Sequence, residues 1–141
     1  MENKMDLIFD AKGCNEALAR VTVTAFLTPL NPNLEELADV KTAVSEAVTN
    51  CIIHGYNGEP KKIYMHCELH GNELLVEIRD EGAGIADISQ AMEPTYTTRP
   101  ELERSGMGFS FMEAFMDELI VESEVGKGTT VRMKKWISTD V

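Results

Sequence analysis

Glu46 and Asn50 stand four residues apart in the run VSEAVTN, so on a helix they share a face. An asparagine amide oxygen is a hard ligand suited to Mg²⁺, an ion that keeps several waters and takes phosphate oxygens as its other ligands. A glutamate one turn away can accept the proton of an attacking hydroxyl. The two form a phosphoryl-transfer pair provided that a nucleotide is held opposite them; without one they are polar residues on a solvated helix surface. Ala43 and Ala47 beside the pair, and the mostly apolar AVTNCII around Asn50, favour a crevice over open water. His54, one turn further on, reads as a helix-end residue, with a nucleotide contact as its alternative.

Two glycine-containing stretches could supply the missing half. In RDEGAGI, Asp80 closes an alternating run, and its carboxylate can accept a hydrogen bond from an amino group such as that of adenine. Gly82 and Gly84 allow close approach of backbone to a flat ring and positive φ. An ordinary hairpin turn has the same composition. SGMGF, which includes Ser105, Gly106, Met107, Gly108 and Phe109, leads into a helix and so offers N–H groups and a positive dipole end to phosphate. Arg104 just before it can reach a terminal phosphate or simply keep a loop soluble. Near the C-terminus GKGTT is a hairpin turn, with the Thr130 hydroxyl a candidate to back a ring bound by Asp80.

These residues need elements to position them. NPNLEELADVKTAVSEAVTNCIIHG predicts the longest helix, opened by an Asn33/Glu36 capping box and stopped by Gly55, with Leu37, Val44 and Val48 as its apolar stripe. MDLIFDA predicts a short strand. The segment from Asn15, with Leu18, Val21, Ala25 and Leu27 at helical intervals, predicts a helix ended by Pro29. KKIYMHCELH and NELLVEIRD around Gly71 predict a hairpin, and LIVESEV and TTVRMKKWI around GKG predict another. Between them lies a long loop from Glu81 to about Met107, with a helical turn near Ile88 to Met92, and then a short amphipathic helix carrying Phe109, Met112, Phe115 and Met116. That order predicts an α+β two-layer sandwich, a mixed or antiparallel sheet with helices on one face, as a single domain over residues 1–141.

Composition narrows the partners. Thirteen Lys and Arg against 24 Asp and Glu give a net charge of −11, which repels a phosphate backbone and argues against direct nucleic-acid binding while favouring a basic protein partner. No apolar run reaches the length of a membrane span, and MENKMDLIFD lacks a signal-peptide core, so a cytoplasmic location is expected. Three widely spaced cysteines, Cys14, Cys51 and Cys67, suit reduced thiols, with Cys51 in the core.

Taken in order, EAVTN, DEGAG and GMGF after a long loop resemble the N, G1 and G2 boxes of the GHKL ATPase superfamily. The resemblance implies the Bergerat fold, an ATP or ADP site without a P-loop, and a lid at about residues 91–106. ARVTVTAF, VSEAVTNCIIHGY, IRDEGAGI and TTRPELERSGMGFSFME further resemble the sporulation anti-sigma F factors of endospore-forming bacteria, a family of small serine kinases. By that resemblance Asn50 ligates Mg²⁺, Glu46 is the base for a substrate serine, and Asp80 reads adenine with Gly82 and Gly84 beside it. Arg104, Ser105, Gly106, Met107, Gly108 and Phe109 meet the nucleotide, as do Thr97 and Thr98 in the lid, with Arg104 taking part in catalysis. Arg20 on the first helix matches the position that docks both partners. Those partners are a sporulation sigma factor and an anti-anti-sigma protein that is phosphorylated on serine and so released; a homodimer is also implied. YNGEPKK differs from the expected loop and touches no motif.

Two alternatives stand beside this expectation. A general-stress (sigma B type) anti-sigma kinase would use the same chemistry on another partner, although the stretch from Thr97 through Met112 favours the sporulation type. A nucleotide-gated binding module without transferase activity is opposed by the intact Glu46 and Asn50.

Overall fold

The computed structural model describes residues 1–92 and 108–138. Its elements run β1 (Glu2–Asp10), α1 (Cys14–Leu27), a 3-10 turn (Thr28–Leu30), α2 (Leu34–Asn50), one π-helical turn (Cys51–Gly55), β2 (Lys62–His70) and β3 (Glu73–Asp80). They continue with α3 (Ile88–Ala91), α4 (Gly108–Phe115), β4 (Glu118–Glu124) and β5 (Gly128–Trp136). The strands lie in the order β1-β2-β3-β5-β4, and all four pairings are antiparallel. The mixed sheet therefore gives way, among the described residues, to the antiparallel one. Both expected hairpins form, and β3 and β5 run side by side to join them.

Alternation along the strands decides the layers. Ile63, Met65, Cys67 and Leu69 of β2 share a face with Leu74, Val76 and Ile78 of β3 and with Val131 and Met133 of β5. All are buried, and they join Val40, Ala43, Val44, Ala47 and Val48 of α2 in one core. The opposite face carries charged cross-strand pairs, such as Arg132 Nε with Glu77 Oε2 at 2.7 Å. α2 packs between α1 and α4 on the apolar side.

The capping box that the Asn-x-x-Glu spacing predicts is present at both ends: Glu36 N–H donates to Asn33 Oδ1 at 2.8 Å, and Asn33 N–H donates to Glu36 Oε1 at 3.0 Å. Such a cap is worth about 1 kcal/mol. The second Glu36 oxygen accepts from the Ser138 N–H and hydroxyl at 2.7 and 2.9 Å, which fastens the chain after β5 to the start of α2. Gly55 does end the long helical segment, but the last turn widens to π geometry after Asn50.

Two elements depart from expectation. β1 begins at Glu2 rather than near Met5, because an edge strand can extend through exposed charged residues while its backbone still pairs with β2. α1 spans the expected region, yet it buries Ala19, Val23, Phe26 and Leu27, leaving Leu18 and Val21 at 45% and 65% exposed. Apolar residues occur on both sides of this helix, so its periodicity alone selects no face.

Candidate nucleotide site

Asp80 ends β3 in phase with Leu74, Val76 and Ile78. The two-residue period that buries those side chains turns its carboxylate to the same helix-side face, where it is only 5% exposed. Burial lifts the carboxyl above its usual range, while hydrogen bonds from the Gly82 N–H, the Cys51 thiol and the Thr129 N–H, and the charge of Arg79, pull it back. The Gly82 bond to Oδ1 measures 3.0 Å.

The wall around that carboxylate is built without side chains. A Cβ on Gly55 would stand 2.6 Å from Asp80 Oδ2 and 3.0 Å from Oδ1, and one on Gly82 would run into the Gly55 carbonyl. Gly84 has φ +77°, the left-handed region that its sequence position predicts. The turn after Asp80 is then pinned from three directions. Ala83 N–H donates to the Gly55 carbonyl at 2.8 Å, Glu81 N–H to the Tyr56 hydroxyl at 2.7 Å, and Ile85 N–H to the Ser123 hydroxyl at 2.7 Å. Tyr56, itself buried, donates onward to the Lys62 carbonyl at 2.5 Å.

Asn50 and Glu46 both lie half-buried on α2, on the face next to the buried Ala43 and Ala47. The Asn50 amide meets the first residue of α4: a Cβ on Gly108 would sit 3.1 Å from Asn50 Oδ1. An amide oxygen, a helix N-terminus whose first N–H groups have no acceptor within the helix, and a buried carboxylate are thereby arranged around the end of one helix. His54 is half-buried in the π-helical turn, one turn beyond Asn50. Among the described residues no group of three or more His, Cys, Asp or Glu side chains is placed to hold a metal ion. A cation here would take one ligand from Asn50 and the rest from phosphate and water.

Not every candidate arrives at the site as expected. Thr130 stands across from Arg79 and Glu122, which puts its hydroxyl on the opposite face of the sheet from Asp80. The hydroxyl behind Asp80 belongs to Thr129, which pairs with it directly and lies 2.8 Å from the Ser123 hydroxyl. Phe109 is buried in the core, so its side chain is taken up by packing. Thr97, Thr98, Arg104, Ser105, Gly106 and Met107, with nearly all of the expected lid, lie outside the described residues. Arg20 is on α1 with its side chain 43% exposed, 3.7 Å from Glu16. Sequence reading missed Gly55 and Tyr56 as parts of the site, although HGY directly follows the Asn50 turn, and it missed Ser123 and Thr129 entirely.

The histidine kinase-like ATPase domain family matches residues 10–135. The chain is 61% identical over 135 residues to an anti-sigma F factor of Clostridium botulinum, covering 95% of this chain and 94% of the relative. It is 55% identical over 139 residues to an anti-sigma F factor of a Geobacillus species, covering 98% and 95%. Among solved structures, the RsbU and RsbW domains of a Mycobacterium tuberculosis protein superpose with a TM-score of 0.73 at 20% identity, over 99% of this chain and 34% of that longer one. That likeness shows the fold. Near-complete coverage at such identity, together with the motif order and the geometry of the site, establishes that the chain belongs to the anti-sigma F factor family of histidine kinase-like ATPase domains.

Proposed function

We propose that this chain is an ATP-dependent protein serine kinase that holds a sporulation sigma factor of the sigma F type and phosphorylates the anti-anti-sigma protein that displaces it. The observation that carries the reading is the Asp80 carboxylate, buried at a strand end, walled by Gly55 and Gly82, with the Asn50 amide and the α4 N-terminus beside it. An adenine amino group can donate to that carboxylate. Phosphates can lie along the N-terminus of α4, whose N–H groups bind anions despite the chain's net negative charge.

Asn50 Oδ1 would hold a magnesium ion, which when bound would supply positive charge to neutralise what builds on the phosphates in transfer. Glu46, one turn earlier, takes the proton of the substrate serine hydroxyl. As the serine oxygen forms its bond to the γ-phosphorus, the bond from that phosphorus to the bridging oxygen breaks, and the electron pair leaves with ADP. In this reading Arg104 stabilises the charge of the terminal phosphate, and Arg20 on α1 presents the docking point for both protein partners. The functional unit is a homodimer in the cytoplasm.

Labelled ATP, Mg²⁺ and a candidate anti-anti-sigma protein test the reading together. Label should pass to one serine of that protein with wild type and not with Glu46→Ala, which should still bind ATP. Transfer by the variant at the wild-type rate would remove Glu46 from the base role. Absence of transfer with any anti-anti-sigma protein, while the chain still binds ATP and sigma factor, would favour a nucleotide-gated binding module.

A further inference from the structure

Thr129, Val131, Met133 and Lys135 alternate along β5 on the face turned to the helices, and all four are buried. The last is a lysine where the row calls for an apolar side chain. It stands across from the buried Leu74 of β3 and is 9% exposed, and no other lysine or arginine among the described residues is buried. A buried ammonium group is tolerated only where its charge is paired and its protons find acceptors.

Lys135 meets both conditions, with partners on two helices. Its Nζ donates to the carbonyl of Phe115, the last residue of α4, at 2.8 Å and lies 3.5 Å from Asp39 Oδ2 on α2. A cation at a helix C-terminus also opposes the negative end of the helix dipole. Two further hydrogen bonds fasten the same end of α4 to β5. The Asp117 N–H donates to the Lys134 carbonyl at 2.8 Å, and the Trp136 N–H donates to Asp117 Oδ2 at 2.6 Å.

This anchor lies at the far end of the helix pair from the nucleotide site. α2 reaches the site with Asn50, and α4 begins there with Gly108, whose Cβ, if present, would be 3.1 Å from Asn50 Oδ1. At 1.5 Å per residue, Asp39 is about 16 Å along α2 from Asn50, and Phe115 is about 10 Å along α4 from Gly108. The two helices thus meet at one end through Gly108 and Asn50 and are bridged at the other by Lys135. We infer that Lys135 is a positioning residue for phosphate binding: by joining the Phe115 carbonyl to Asp39 it sets α4 against α2, and so places the α4 N-terminus beside Asn50. This rests on the reading of that N-terminus as the phosphate site. The adenine side is built from Asp80, Gly55 and Gly82 on other elements, so the two halves of the nucleotide report on different parts of the fold.

The experiment measures Kd for ATP and for adenosine, both with Mg²⁺ present, in wild type, Lys135→Met and Lys135→Met/Asp39→Leu, with urea unfolding of each. The single variant leaves Asp39 without its cation and should lose stability. The double variant replaces both charges by apolar side chains and should recover stability, because breaking an ion pair from one side costs more than replacing it whole. In both, the Phe115 carbonyl has lost the Lys135 donor. The expected result is a several-fold loss of ATP affinity in both variants, with adenosine affinity unchanged and no return of ATP affinity when stability returns. Wild-type ATP affinity in the double variant, or equal losses for ATP and adenosine, would overturn the role of Lys135. Wild-type protein that binds ATP no more tightly than adenosine would instead overturn the reading of the α4 N-terminus as the phosphate site.

Discussion

Gly55→Ala separates nucleotide recognition from folding. The new methyl would lie 2.6, 2.8 and 3.0 Å from Oδ2, Cγ and Oδ1 of Asp80, so the carboxylate must swing away. Gly55 is not among the residues with positive φ, and alanine adds no backbone strain there. Two stability terms oppose each other: alanine in a helical turn gains about 1 kcal/mol over glycine, and the forced displacement costs about 1–3 kcal/mol. The ligand-free protein should therefore stay within about 2 kcal/mol of wild type. Nucleotide affinity has no offsetting gain. Losing a hydrogen bond to a charged acceptor costs about 1.5–3 kcal/mol, or roughly 10- to 150-fold in Kd. Titration calorimetry with ATP on wild type and variant measures this, with Gly13→Ala as control because a Cβ there meets nothing within 4 Å. Wild-type affinity in a folded Gly55→Ala protein would refute the claim that Asp80, held as seen here, receives the adenine.

Other consequences follow from separate parts of the fold. Arg20→Glu should leave ATP affinity unchanged while abolishing capture of both sigma factor and anti-anti-sigma protein in pull-down; retained binding of both would remove Arg20 from the docking surface. Tyr56→Phe removes the hydroxyl that joins the Glu81 N–H to the Lys62 carbonyl, so denaturant unfolding should show a loss of about 1–3 kcal/mol, and no loss would show that water replaces the hydroxyl. On the open sheet face both ring nitrogens of His66 and of His70 meet carboxylates of Glu2, Asp6 and Glu68, which raises both histidines and lowers Glu68 to about 2. The histidine contribution is complete below the unfolded value of about 6.5 and fades as pH rises through the raised folded values. The Glu68 contribution is present above its unfolded value and is lost as pH falls towards 2. A His66→Gln/His70→Gln variant should accordingly differ from wild type in urea midpoint at pH 5.5 and converge with it at alkaline pH, and a constant difference would contradict the linkage.

Local patterns made much of this legible. Asn33 and Glu36 announced the cap because both partners lie within one turn, and the β2 and β3 alternation announced a buried face because its period is strict. Asp80 was readable for the same reason: it continues the buried row of β3. What the sequence left hidden depends on register and distance. GTT contains two adjacent hydroxyls, and a shift of one residue decides which faces Asp80, so Thr129 and Thr130 could not be told apart without the β3–β5 pairing. Gly55 looked like a helix stop because its contact with Asp80 bridges distant parts of the chain. On α1, the small Ala19 carried no signal while Leu18 and Val21 carried a misleading one, since burial there is set by packing against α2.

The most direct test of the central claim is a crystal structure of the chain with a non-hydrolysable ATP analogue and Mg²⁺. The account predicts the adenine amino group within about 3 Å of the Asp80 carboxylate, phosphates at the N-terminus of α4, and the metal on Asn50 Oδ1. Adenine seated away from Asp80, or a metal with no contact to Asn50, would contradict it.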